Sequence, residues 1–261
     1  MESKLRNIKL TLEYDGTDYS GWQKQEEQGV RTLQATVETA LSTLLGETID
    51  TNIAGRTDAG VHAFSQVLNF KTSSDMSIRR IPYSLNALLP KDIVVKEAEE
   101  VAMDFDARRN PRWREYHYYI LNRSHRTVFA DRFVHHETRS LNVEAMDKAV
   151  RYLIGRHDFT SFCVSQGTAI ENPVRTILKA SCQKSNDIVW FGEPLDGLIA
   201  IKVYAHAFLH NMVRIIAGTA IDVGLGILSP QDIPSILEAK DRTKAGKTAP
   251  AKGLTLVKVQ Y

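Results

Sequence analysis

The sequence predicts an α+β chain of two halves, each in the order β-α-β-β-α-β, with a largely antiparallel mixed sheet flanked by helices. Three observations predict it. Short segments in which apolar and polar residues alternate recur along the chain, the period-two signature of half-buried strands. Between them lie segments with apolar residues at helical spacing, bounded by capping residues. The order of the two kinds of segment then repeats once, with insertions in the second half.

Ile8 to Tyr14 alternates and ends on the turn pair Asp15-Gly16. After a Gln/Glu-rich loop at 24–29, Thr32 is placed to cap a helix. That helix aligns Leu33, Val37, Ala40, Leu41, Leu44 and Leu45 on one face, and Gly46 closes it. Segments near 49–54 and from Ser65 to Thr72 read as strands flanking a polar loop. A helix near 77–88 stops before Leu89-Pro90, because the residue before a proline is steered out of the helical region. Asp92 to Ala98 supplies the next strand.

In the second half, Tyr116 to Asn122 reads as a strand. Val143 to Ile154 reads as a helix with its apolar face at 146, 149, 150 and 153. Strands are expected near 174–184 and 188–204. A long apolar helix follows from Leu209 to Val223, then a polar helix near 230–240 and a last strand from Gly253 to Gln260. The halves join near 102–113, giving domains of 1–105 and 106–261. Each has the β-α-β-β-α-β order of RRM and ferredoxin-like folds, whose open sheet face serves common RNA-binding modules. That is an analogy of fold, which does not fix function.

Composition bounds the function classes. Hydrophobic residues make up 43% and charged residues 25%, as in ordinary globular proteins. No apolar run is long enough to span a membrane, and Met1 to Arg6 lacks the apolar core of a signal peptide. Cys163 and Cys182 have no metal-ligand spacing and read as free thiols, so a cytoplasmic protein is expected. The net charge of +2 is too small to announce a polyanion partner. Its distribution says more. Arg108, Arg109, Arg112, Arg114, Arg123 and Arg126 fall between Phe105 and Arg126, against only Asp106 and Glu115. With Trp113, Tyr116, Tyr118 and Tyr119 interleaved, this pattern suits a polyanion-binding surface with stacking groups.

The densest motif is Gly55-Arg56-Thr57-Asp58-Ala59-Gly60-Val61-His62-Ala63. It sets a carboxylate beside a cation between two glycines, just before a strand. Such a loop can present Asp58 to a ligand, with Arg56 able to grip a phosphate. The same spacing is also that of a plain polar turn. His62 has a sufficient role in packing the loop. His206 and His210, four apart, lack a third ligand at useful spacing, so no metal is expected.

Further clusters extend from end to end. They include Tyr14-Asp15-Gly16-Thr17, Gly21-Trp22-Gln23, Leu85-Asn86-Ala87-Leu88-Leu89-Pro90, Phe105-Asp106-Ala107-Arg108 and Tyr116-His117-Tyr118-Tyr119-Ile120. Later come His157 to Phe162, Ala207 to Arg214, Thr248-Ala249-Pro250, Gly253-Leu254 and Tyr261. Together with the Gly-Arg-Thr-Asp motif they resemble the bacterial tRNA pseudouridine synthase A family over nearly the whole chain. One departure is Asp106, where family members often carry histidine or proline.

The resemblance implies a pseudouridine synthase fold and an enzyme that isomerises uridine in the tRNA anticodon stem-loop, around positions 38 to 40. It implies a homodimer in its second domain's keeping, no metal and no organic cofactor. By match to the motifs, Asp58 is the catalytic aspartate, Tyr116 packs against the target base, Arg214 is the aspartate's counter-charge and Arg56 assists base flipping. The chain has neither a P-loop nor a dinucleotide fingerprint, which suits a reaction without redox change or energy input. Two rivals remain on the residues alone. A non-catalytic RNA-binding protein would keep the arginine and tyrosine surface without needing Asp58. A glycosidase would need a second carboxylate, for which Asp15 and Asp18 are the candidates.

Overall fold

In the computed structural model, which describes residues 5–25, 29–164, 172–190 and 192–261, the elements follow the expected alternation. The first are β1 (Arg6–Tyr14), α1 (Leu33–Leu45), β2 (Asn52–Ile53), β3 (His62–Thr72), α2 (Arg80–Leu88) and β4 (Ile93–Val101). Next come β5 (Trp113–Asn122), β6 (His135–Glu137), α3 (Val143–Arg151), β7 (Gly155–Asp158) and β8 (Val174–Lys184). The last are β9 (Val189–Trp190), β10 (Glu193–Pro194), β11 (Leu198–Ala205), α4 (Met212–Gly224), α5 (Asp232–Ala239) and β12 (Leu254–Gln260). They divide into two units: Met1–Arg112 with Leu256–Tyr261, and Trp113–Thr255.

In the first unit β1 lies between β4 and β3, antiparallel to both, with Leu10 opposite Ala98 and Leu68. β12 follows on the other side of β3. Ile8, Leu10, Leu12, Leu68 and Phe70 are buried, as are Leu33, Val37 and Leu41 of α1 and Ile81 and Leu85 of α2. Each such buried side chain contributes about 1.5–3 kcal/mol. α1 starts and stops where its sequence says. Thr32 accepts a hydrogen bond from the Ala35 N–H, and Gly46 takes a left-handed φ of 71°. Asn86 explains the Leu-Asn-Ala-Leu-Leu-Pro cluster. Its amide donates to the Val95 carbonyl (2.9 Å) and accepts from the Val95 N–H (2.8 Å), tying α2 to β4.

In the second unit the order is β5-β11-β8-β7, antiparallel throughout, and β6 pairs with β5 in parallel. α3 is capped by Asn142 and buries Met146, Ala149 and Val150. α4 is almost wholly buried, which its apolar sequence requires. Gly218 is a close-approach site, since a Cβ there would stand 1.7 Å from the Lys247 carbonyl oxygen.

Three expectations change in detail, and two short strands are added. The segment near 49–54 pairs only at Asn52–Ile53. The strand expected over 188–204 is the two-residue hairpin of β9 and β10 followed by β11 from Leu198, because Gly192 and Gly197 turn the chain at φ 87° and 76°. α4 begins at Met212 and not Leu209, because Asn211 sits at φ 60° and breaks the register. The short strands β6 and β7 carry no alternation long enough to announce them. The Gln/Glu-rich loop falls partly outside the described residues.

Replacing Asn86 with Ala leaves the buried Val95 N–H without its acceptor. The expected outcome is a loss of about 1–3 kcal/mol and faster hydrogen exchange at the Val95 amide, read by native-state exchange.

Candidate functional site

The Asp58 loop joins β2 to β3 and is held from beneath and from one side. Beneath it, the Tyr14 hydroxyl meets Thr57 Oγ1 at 2.8 Å, and Gln66 Nε2 donates to the Gly55 carbonyl at 2.9 Å and the Tyr14 hydroxyl at 3.3 Å. Tyr14 and Gln66 are 3% and 0% exposed, so these bonds lie away from water. Burial pushes the Tyr14 hydroxyl up to about 12, which keeps it neutral at any physiological pH.

At its side lies the loop after β1. Trp22 N–H donates to the Thr57 carbonyl (3.0 Å), Gly60 N–H to the Tyr19 carbonyl (3.3 Å), and Gly16 N–H to His62 Nδ1 (3.1 Å). Two glycines allow this approach. A Cβ on Gly16 would stand 2.0 Å from the Val61 carbonyl oxygen, and one on Gly21 (φ 90°) 2.9 Å from that of Thr57. Within the motif, Gly60 takes φ 76° and the Val61 N–H closes the turn onto the Asp58 carbonyl at 3.1 Å. Thr57 is thus buried, Asp58 half-buried and Arg56 exposed. His62 is buried as part of the loop's packing, as expected from the sequence.

Behind the side loop stands a further clamp. Tyr19 donates to Asp92 Oδ1 (2.6 Å), and the Arg31 guanidinium bonds both the Tyr19 hydroxyl (2.8 Å) and Asp92 Oδ2 (2.9 Å). It also covers the Tyr19 ring at 4.1 Å. The Asp15 carboxylate accepts from the Thr17 N–H and hydroxyl, the local bonding of an Asx turn.

The second unit carries the other two predicted residues. Tyr116 and Tyr118 leave β5 on one face, and Glu115, His117 and Tyr119 on the other. Tyr116 is 7% exposed and meets Phe208 edge to face at 5.1 Å. Arg214 lies in the first turn of α4. Its Nη1 donates to Asn211 Oδ1 (2.7 Å) and its Nε to the Ala249 carbonyl (2.9 Å). Tyr118, fully buried, donates to the Pro250 carbonyl at 2.9 Å and lies within range of the Arg214 charge. Gly253 gives that ring room, since a Cβ there would be 2.7 Å from it. Tyr116 and Arg214 therefore share one face of this unit's sheet, as Asp58 and Arg56 share one loop of the other.

The arginine and tyrosine pattern divides differently from the expectation. Arg108, Arg109, Arg112 and Arg126 are exposed, but Arg114 is buried and bonds the His206 carbonyl. Tyr118 is a core residue. Tyr119 joins a polar set with His117 and Asp187 on the opposite face. The reason is the strand period, which sends alternate side chains to faces that are both largely covered. Asp106 serves a local purpose, accepting from the Arg108 and Arg109 N–H groups at 2.7 and 3.2 Å. His206 and His210 are exposed, and among the described residues no three potential metal ligands cluster. No helix among them is long and apolar enough to cross a membrane.

Sequence reasoning left Tyr14, Gln66, Phe208 and Asn211 without roles. A glutamine inside an apolar alternation was the available signal for Gln66. The others lay within the quoted clusters.

A family model described as tRNA pseudouridine synthase matches residues 11–108 and 149–261. Among curated proteins, the tRNA pseudouridine synthase A of Caldicellulosiruptor saccharolyticus is 45% identical over 98% of this chain and 100% of its own length. That of Caldicellulosiruptor bescii is 46% identical with the same coverage, and that of Acetivibrio thermocellus 44%.

Replacing Gly16 with Ala forces the two loops apart. The expected outcome is a loss of about 1–3 kcal/mol with faster exchange of the Trp22 and Gly60 amides. Thr17→Ala, at the exposed Asx turn, leaves both amides unchanged.

Proposed function

The chain belongs to the tRNA pseudouridine synthase family, and from that premise we propose that it modifies uridines of the anticodon stem-loop, about positions 38 to 40, with Asp58 as the essential carboxylate. It is an isomerase that acts on tRNA and forms pseudouridine from uridine. The observation that carries the assignment to Asp58 is the mounting of its loop, with buried bonds beneath and glycine-permitted main-chain docking at the side. A catalytic group needs such preorganisation, because a misplacement of about 1 Å can cost about a hundredfold in rate.

The reaction breaks the bond from N1 to C1′, turns the base and joins C5 to C1′. C5 gives up its proton at the end and N1, freed from the sugar, takes one up, so atoms and oxidation state balance without a cofactor. The Asp58 carboxylate acts on the electron-poor centre, by covalent addition or by stabilising positive charge at C1′. Arg214 is assigned as the counter-charge of the carboxylate. Tyr116, backed by Phe208, stacks on the uracil and brings its hydroxyl near C5. A base within a stem must be extruded at a cost of a few kcal/mol. The exposed Arg56 fills the space it leaves and holds the phosphate. The enzyme acts as a homodimer in the cytoplasm.

Asp58→Ala is expected to bind tRNA as the parent does and to lose pseudouridine formation by about a thousandfold or more, read by chemical mapping of positions 38 to 40. Unchanged modification refutes the assignment. Release of free uracil would turn the enzyme into a hydrolase.

A further inference from the structure

Arg175 is a half-buried cation of the second unit that neither the catalytic scheme nor the packing uses fully. It lies on β8 opposite His157 of β7. Its direction follows from register. Val203 stands opposite Tyr116, and Ala205, two residues on, stands opposite Ile177. Arg175, two residues before Ile177, therefore leaves the sheet on the face that carries Tyr116 and Tyr118. Cys163 connects it to the start of α4. The sulfur lies within range of the Arg175 charge, and the next residue, Val164, donates its N–H to the His210 carbonyl at 3.4 Å. His210 precedes Asn211, which holds Arg214.

The partners of this guanidinium are unusual. Nη1 donates to the main-chain carbonyls of Asn172 and Val174, both at 2.8 Å. Nε is buried with no acceptor. Among the described residues no carboxylate pairs with it, and burial lowers its pKa from the ordinary arginine value. A charge withdrawn from water without a counter-ion carries a standing cost. Two carbonyls would be served as well by a neutral donor, so they do not account for the charge. An anion brought by a ligand would.

We propose that Arg175 is a further substrate-contact residue, binding a phosphate of the RNA strand beside the target uridine. The proposal rests on the pseudouridine synthase assignment. A guanidinium suits a phosphate, and Nη2, which Asn172 and Val174 leave over, supplies the bond. Arg214 and Arg175 then have different work on one face: the first serves the carboxylate, the second the backbone of the bound strand.

The test uses the full chain carrying Asp58→Asn and an anticodon stem-loop RNA, titrated between about 50 and 200 mM salt. Arg175→Gln is expected to weaken binding about tenfold and to reduce the slope of log K against log salt by about one. Arg175→Lys is expected to restore the slope and part of the affinity. Arg175→Met, which keeps the apolar stem, serves as a second uncharged variant should Gln not fold. With Asp58 intact, KM should rise about tenfold while kcat at saturating RNA stays within about twofold. An unchanged salt slope in a folded uncharged variant overturns the proposal, whether or not affinity or melting temperature falls. A parent enzyme that makes no pseudouridine refutes the underlying assignment instead, and the salt slope is read independently of that.

Discussion

The contact on which the Asp58 loop depends is a main-chain one, between the loop after β1 and the loop before β3. Gly16 stands so close to Val61 that any side chain would overlap its carbonyl. That closeness lets Trp22, Gly60 and Gly16 place their N–H groups on Thr57, Tyr19 and His62. Neither loop has regular structure of its own, so each supplies the partners that a strand or helix would otherwise give. The buried Tyr14, Thr57 and Gln66 set then fixes the loop from below. Asp58 and Arg56 are left at the top of this mounting, one half-buried and one exposed.

The second unit reaches a comparable fixity by burial. α4 is nearly all apolar and lies against the sheet, so its one arginine in the first turn is held by what surrounds it. Asn211, in the left-handed region, ends the preceding turn and offers its side-chain amide oxygen to Arg214. The main-chain carbonyl of Ala249 takes a second donor. Pro250 and Gly253 in the same stretch shape the bed of Tyr118. The Thr-Ala-Pro and Gly-Leu clusters near the C-terminus thus serve the arginine and the tyrosine strand. Arg214 thus donates to one side-chain and one main-chain oxygen, and Arg175 to two main-chain carbonyls.

Much of this was legible in the residues. The strands β1, β3 and β8, the caps of α1 and the apolar face of α3 follow from periods and end signals that act within a few residues of each other. The loop motif named Asp58 and Arg56 because its chemistry is contiguous. Less legible was which of six arginines and four aromatic residues between Phe105 and Arg126 face water. Arg114 and Tyr118 went inward, and their neighbours' character gave no warning. The break before α4 was hidden too, because Leu209 and His210 fit a helical pattern and only the φ of Asn211 ends it.

The sequence by itself determined the order of the helices and the longer strands, the loop that carries Asp58 and, through motifs spread over the whole length, the family. These are properties of residue type and spacing, which local sterics and periodicity enforce. Only the tertiary structure decided what holds the candidate residues still: Gly16 against Val61, Gln66 under Gly55, Asn211 and Ala249 on Arg214. It also set Arg175 on the face of Tyr116. Those pairings join residues far apart in the chain, and their strength comes from burial and approach distance, which no local pattern encodes.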